Sequence, residues 1–246
     1  RFAPKSIIEI SDYLEFYDME MDREIHKVGI HTAAPVEPHP ASPQKTVEDI
    51  YSAASALLQK ADFILGIGGE HTVSLGLIQA YRERYEDLTV LHLDAHADLR
   101  DEYNGHRYGQ ATVMRRVHEL CPIVQAGIRS MCLEEKNFIE EKGIPLFGDI
   151  SRLGQTSYIE KIVSRLSEHV YISLDMDILD PGVMPAVGTP EPGGVQWTDL
   201  LILLRLVSAK RKVVGADIVE LCPQQGPDYC AYMAAVLAYK LIGYCI

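Results

Sequence analysis

Cysteine is scarce and scattered in this 246-residue chain: Cys121, Cys132, Cys222, Cys230 and Cys245, an odd number with no CxxC pair. A disulfide framework and a thiolate zinc site are both disfavoured, and a reducing, cytoplasmic setting is expected. Positive charge is also in short supply, with 23 Lys and Arg against 35 Asp and Glu, a formal net charge of −12. That balance argues against a nucleic-acid partner, whose phosphates need a cationic face, and against an anionic membrane surface. It suits cationic ligands or metal ions. No apolar run nears the roughly 18 residues of a spanning helix, and no signal-like segment opens the chain. Repeats, low-complexity tracts and long linkers are missing too, so residues 1–246 are expected to form one domain.

What is present is a regular alternation. Residues 34–43 carry Pro35, Pro38, Pro40 and Pro43 and read as an extended surface connection, with His31 and His39 solvated in or beside it. Thr46 with Asp49 then marks a helix start, followed by apolar residues at helical spacing from Val47 to Ala61. Strands are expected at residues 63–67, 89–93, 123–126, 170–174 and 213–216. Helices are expected near 73–85, 113–120, 134–141, 159–166, 200–207 and 232–242, with Gly143 as a stop signal. Repeated βαβ crossovers imply an α/β fold with a mainly parallel sheet and helices on both faces.

Chemistry is concentrated where those strands end. The first runs into Gly68-Gly69-Glu70-His71, the second into Asp94-Ala95-His96-Ala97-Asp98, the fourth into Asp175-Met176-Asp177 and the fifth into Asp217-Ile218-Val219-Glu220. Open parallel sheets bind ligands at the carboxyl ends of their strands, so four segments deliver acids and imidazoles to one edge. Asp94, His96 and Asp98 are spaced by two, and in an extended segment alternate side chains share a face. Asp175 and Asp177 repeat the device. Four carboxylates so close repel one another unless cations neutralise them. With His71 and His96 they form an oxygen-rich, thiolate-free ligand set that favours Mn²⁺ or a similar hard ion, and carboxylates able to bridge suit two metals.

Other features are read as structural. His92 is assigned to the opposite side of its strand as a satisfied core histidine, and His26, His118 and His169 to the surface. Ser74 and Ser173 have no partnered base, Arg115-Arg116 is a solvated helix face, Cys222 a small buried residue, and Trp197 a packing residue.

The same segments resemble the ureohydrolase family of arginase, agmatinase and relatives, agmatinase most of all. The matches are GGEHTVSLG at 68–76, DAHAD at 94–98, SLDMDILDP at 173–181, GTPEPGG at 188–194 and DIVELCP at 217–223. The resemblance implies a three-layer α/β/α fold and a two-Mn²⁺ site. His71, Asp94, Asp98 and Asp175 would hold one ion, and Asp94, His96, Asp175 and Asp177 the other. Asp98 would orient the attacking water and pass on its proton, while Glu220 would pair with the guanidinium of a small cationic substrate. A homo-oligomer, trimer or hexamer, is implied as well. The opening Arg1-Phe2-Ala3-Pro4 resembles the family segment that follows a first strand and an entrance loop, so those upstream elements are expected to be lacking.

One position departs from the family pattern: Gln110 stands where a proton-relaying histidine is expected, with His106 four residues earlier. Glutamine can hydrogen-bond but does not titrate near neutrality. The loop with Asp101 and Glu102 resembles agmatinase loops, its acids placed to receive an ammonium tail. The expected function is therefore cleavage of agmatine to urea and putrescine. The alternatives are a guanidinobutyrase-like or arginase-like ureohydrolase, and a metal-binding relative with weak or no catalysis because of Gln110. A zinc deacetylase of related fold is disfavoured, since its usual tandem histidines are missing.

Overall fold

The computed structural model describes residues 2–246. In chain order the elements are α1 (Ala3–Ser11), β1 (Tyr17–Asp18), β2 (Arg23–Glu24), α2 (Pro43–Leu57), β3 (Leu65–Ile67), α3 (Val73–Arg84), β4 (Thr89–Leu93), α4 (Val113–His118), β5 (Ile123–Ala126), α5 (Leu133–Lys142), β6 (Leu146–Phe147), α6 (Thr156–Val163), β7 (His169–Asp175), α7 (Trp197–Lys210), β8 (Lys212–Val219) and α8 (Tyr229–Cys245). β1 and β2 make a small antiparallel hairpin. The other six strands form one parallel sheet in the order β3-β8-β7-β4-β5-β6.

Both faces of that sheet are covered, which is why its central strands are almost continuously apolar. Leu91 and Leu93 of β4, Ile172 and Leu174 of β7, and Ala216 and Ile218 of β8 pack on one side against α1, α6, α7 and α8. Val90, Ile123 and Tyr171 point to the other side, against α2, α3, α4 and α5. The result is the expected three-layer α/β/α arrangement.

The local differences from expectation have local causes. The helix after the proline-rich stretch starts at Pro43 and not at Thr46, because Ser42 caps it: its Oγ accepts the Lys45 N–H at 3.2 Å. Pro43 in the first turn wastes no hydrogen bond, and its fixed φ suits a helix. β8 continues through Asp217 to Val219, so Asp217 lies inside a strand, in register with Ser173 and Gly66. His26, His118 and His169 are half-buried, each against an aromatic ring. Arg116 is buried and paired to Asp101 at 2.6 Å, and Arg115 lies over the Phe138 ring, so this arginine pair is no solvated face. Cys222 is half-buried only. Trp197 packs at the edge of the core, as expected.

Candidate metal centre

β3, β8, β7 and β4 are consecutive neighbours, so their carboxyl ends lie side by side. His71 comes from the loop after β3, Glu220 follows β8, Asp175 ends β7 and Asp94 follows β4. His71 Nδ1 lies 3.2 Å from Asp94 Oδ2, 3.3 Å from Asp98 Oδ2 and 3.4 Å from Asp175 Oδ2. His96 Nδ1 lies 2.8 Å from Asp177 Oδ2 and 3.6 Å from Asp94 Oδ1. Asp94 thus turns one oxygen to each imidazole and joins two adjoining groups of ligand-type atoms. Glu220 closes the edge, its Oε1 accepting the His71 backbone N–H at 2.7 Å.

The route by which Asp98 arrives is not the expected one. It has left the extended conformation for φ 55°, and Glu220 sits at φ 63°. Few non-glycine residues occupy this left-handed region, and those that do cluster at functional sites. A left-handed backbone at Asp98, rather than strand alternation, therefore accompanies the approach of its carboxylate to His71.

The electrostatics show what this cluster lacks on its own. Burial, with the charge of Asp94 added, pushes Asp98 up to about 8, and burial with Asp177 and Asp94 raises Asp175 well above the carboxylate range. Burial disfavours a charged imidazole, yet the surrounding carboxylates overcome it, raising His71 well above 6.5 and His96 to about 11. Protons thus stand where cations would neutralise the site. The donor set passes the same test geometrically: buried His71 Nδ1 has no hydrogen-bond partner and faces three carboxylate oxygens. Asp175 also offers a ligand oxygen, its other one accepting the Asp177 N–H at 2.7 Å. Burial pushes Glu220 up to about 7, against the neighbouring His71 charge.

Beneath the ligands runs a polar row that sequence reading did not assemble. Gly66, Asp217, Ser173, His92 and Gln125 are in register across β3, β8, β7, β4 and β5. The four with polar side chains are fully buried. His71 Nε2 lies 2.9 Å from Ser173 Oγ, which donates to Asp217 Oδ1 at 2.9 Å, and Tyr171 donates to Asp217 Oδ2 at 2.8 Å. Gln125 Nε2 donates to Ala97 O at 2.7 Å and to His92 Nδ1 at 3.0 Å, and His92 Nε2 reaches Asp94 Oδ2 at 2.8 Å. His92 therefore shares the face of Asp94, correcting the opposite assignment. The signal was there, since residues two apart on a strand always share a face. His92 is nonetheless a satisfied core histidine, both nitrogens being engaged. Ser173 does touch a histidine, but it lies under the site and its hydroxyl is committed to Asp217.

The structure brings His71, Asp94, His96, Asp98, Asp175, Asp177 and Glu220 together. It does not join Asp101, Glu102 or Gln110 to them through any hydrogen bond or ion pair among the described residues. All three are exposed, and the Asp101 carboxylate is held by Arg116. His106 is exposed as well, pinned by a tight turn in which Tyr103 and His106 exchange backbone hydrogen bonds around Asn104 and Gly105, both at positive φ. Arg129 steadies the far wall, donating to the carbonyls of Asp177 at 2.7 Å and Glu191 at 2.9 Å.

Comparison with known proteins gives this geometry its context. The model of the arginase family matches residues 1–243. An N(1)-aminopropylagmatine ureohydrolase of Synechocystis sp. is 39% identical over 98% of this chain and 82% of its own length. An agmatinase of Bacillus subtilis is 33% identical over 91% of this chain and 77% of its own. Among solved structures, agmatine ureohydrolase of Thermoplasma volcanium superposes with a TM-score of 0.90 and 32% identity, covering 99% of this chain and 83% of that one.

Proposed function

The chain belongs to the arginase family, and from that premise we propose that it cleaves agmatine to urea and putrescine at a centre of two Mn²⁺ ions. Ureohydrolase chemistry itself follows from the family and its relatives. The observation that carries the finer reading is the convergence of four carboxylates and two imidazoles on adjoining points, with Glu220 beside them. His71, Asp94, Asp98 and Asp175 would hold one ion, and Asp94, Asp175, His96 and Asp177 the other. Oxygen and imidazole donors without thiolate suit manganese.

When bound, the two ions supply Lewis acidity that lowers the pKa of water towards neutrality. The chain's own residues do the rest. Glu220 pairs with the planar guanidinium, a match that favours bidentate hydrogen bonding. Asp98, whose carboxylate lies against His71, takes the proton of the attacking water as its oxygen bonds to the guanidinium carbon. Asp98 then returns that proton to the substrate nitrogen as its bond to carbon breaks, and the hydroxyl proton of the adduct follows it to the departing amine, so urea and a protonated amine leave. Asp101 and Glu102 are assigned to the substrate's ammonium end and Gln110 to the rim of the site. Five unpaired cysteines support a cytoplasmic setting, and family resemblance supports a homo-oligomer, trimer or hexamer.

A second reading, N(1)-aminopropylagmatine as substrate, is favoured by relatives so named at 36–39% identity, against 32–34% for the agmatinases. Both substrates present the same guanidino end and differ only in the tail. The deciding experiment measures urea release with Mn²⁺ from agmatine, N(1)-aminopropylagmatine, 4-guanidinobutyrate and arginine. Agmatine should give the highest kcat/KM. A preference for the aminopropyl compound would select the second reading, and equal use of arginine would remove the argument from the acidic loop. Metal analysis after equilibration with Mn²⁺ should approach two equivalents per chain, and one equivalent alone would defeat the paired centre.

A further inference from the structure

We propose that the buried row Asp217–Ser173 and Gln125–His92 is a positioning layer that dictates how His71 and Asp94 present themselves to a metal. This rests on the reading of the cluster above as a metal centre, and goes beyond it by assigning work to four residues outside the ligand set.

The direction of every hydrogen bond in the row follows from its two ends. At one end stands the Ala97 carbonyl, which can only accept, so the Gln125 amide nitrogen must face it. The second N–H of that amide points to His92 Nδ1, which must therefore carry the lone pair. The His92 proton is left on Nε2, aimed at Asp94 Oδ2. At the other end stands the Asp217 carboxylate, accepting from Tyr171 and from Ser173. With its own proton committed to Asp217, the Ser173 hydroxyl meets His71 Nε2 as an acceptor. The proton that His71 keeps when it binds an ion is then held on Nε2, and Nδ1, the nitrogen facing Asp94, Asp98 and Asp175, is the one left to give its lone pair to a metal. An imidazole ligand must bring a lone pair to the metal, and the hydrogen bond on its other nitrogen decides which one does so.

The backbone is built to accommodate the row. Gly66 opposes Asp217 across the β3–β8 ladder, and a Cβ there would lie 3.2 Å from Asp217 Cβ and 2.4 Å from Leu77 Cδ1. Ser173 opposes both Asp217 and His92, so one register row serves a ligand on each side: His71 through Ser173, and Asp94 through His92. Ser173 and Asp217 are positioning residues, since they touch neither substrate nor the ligand-type atoms of the cluster.

The test is Mn²⁺ affinity, measured by calorimetry or by electron paramagnetic resonance of the free ion, on the full chain and on Ser173→Ala. Losing the acceptor for His71 Nε2–H should weaken binding about 10- to 100-fold, with the number of ions bound at saturation unchanged. Ser173→Thr keeps the hydroxyl and should restore most of the affinity. Should Ser173→Ala fail to fold, Asp217→Asn keeps the shape and should weaken binding by a smaller factor, about tenfold. A variant that unfolds at lower temperature yet binds Mn²⁺ as tightly as the parent would show a purely structural role and overturn the proposal. A parent chain that binds no Mn²⁺ would overturn it together with the metal-centre reading, and that case is told apart because the parent itself is affected.

Discussion

Glu220 and Asp98 are held at φ 63° and 55°, a conformation that costs non-glycine residues about 1–3 kcal/mol and persists only where the surroundings over-determine it. For Glu220 the determinants are visible: its N–H donates to Gly69 O at 2.7 Å and its carboxylate accepts from His71. Glu220→Gln keeps that shape but removes the charge proposed to pair with the substrate guanidinium. Its kcat/KM should fall about 30-fold or more, the cost of unpairing a buried charge, with Mn²⁺ binding retained. Gln110 makes the opposite prediction. Gln110→His supplies a group that titrates near neutrality at the position proposed for proton relay, and kcat should rise by up to about 10²-fold with unchanged metal content. The gain should follow a pKa near about 6.5 in the pH–rate profile. No gain would remove this position from proton transfer. The acids of the centre were legible because each stands where a predicted strand ends. His92, Ser173, Asp217 and Gln125 were harder to read because each is a single polar residue inside an apolar strand. Only the register across four chain-distant strands brings them together.

At the scale of elements, close approach between α3 and β8 is set by one missing side chain. A Cβ on Gly215 would lie 2.3 Å from Tyr81 Cζ, and the Tyr81 hydroxyl in turn accepts the Ile64 N–H at 2.9 Å beside β3. Gly215→Ala should therefore cost about 1–3 kcal/mol through overpacking, lowering Tm by about 2–12 °C in thermal unfolding. An unchanged Tm would mean that Tyr81 can swing aside at no cost. The main strands and helices were readable from their periods: β4 and β5 appear at the expected residues, and α5 ends at Gly143 in the left-handed conformation with φ 66°. No element is expected from the sequence at α1, β1, β2 or β6, and the remaining errors fall at ends and at pairings. β8 runs three residues past the expected stop because Asp217 finds Tyr171 and Ser173 as donors, and a sequence pattern shows no such partner. α2 begins three residues before the expected start because Ser42 caps it more effectively than the later threonine, whose hydroxyl is engaged with His39.

At the scale of the whole molecule, a chain with net charge −12 repels itself, and basic residues that bind several acids at once acquire structural weight. Lys240 of α8 is such a residue, 2.8 Å from Asp18 and 2.9 Å from Glu20, with Arg205 of α7 completing the group on Glu20 at 2.8 Å. The group ties the β1–β2 hairpin to helices more than 180 residues away in sequence. Burial opposes ionisation of Asp18, but hydrogen bonds from Lys240 and from the Met21 and Glu20 N–H groups outweigh it and hold the carboxyl below its ordinary 3.8. Glu20 is likewise held below 4.5, burial being outweighed by Lys240 and Tyr244, while Lys240 is raised above 10.5 by the same two acids despite its burial. The signs set the pH window. A carboxyl whose pKa is lower folded than unfolded stabilises the fold above the unfolded value, and that contribution fades as pH falls through the folded value. A raised lysine contributes below 10.5 and loses its contribution as pH rises through its folded value. Asp18→Asn keeps the shape and removes the charge. At pH 7 it should lower stability by about 1 kcal/mol, the scale of a partly exposed pair, or Tm by about 2–4 °C. In denaturant titrations the two proteins should converge as pH drops below 3.8, where Asp18 of the parent also takes up a proton. A difference that persists undiminished at that pH would place the contribution of Asp18 in its backbone hydrogen bonds instead of its charge.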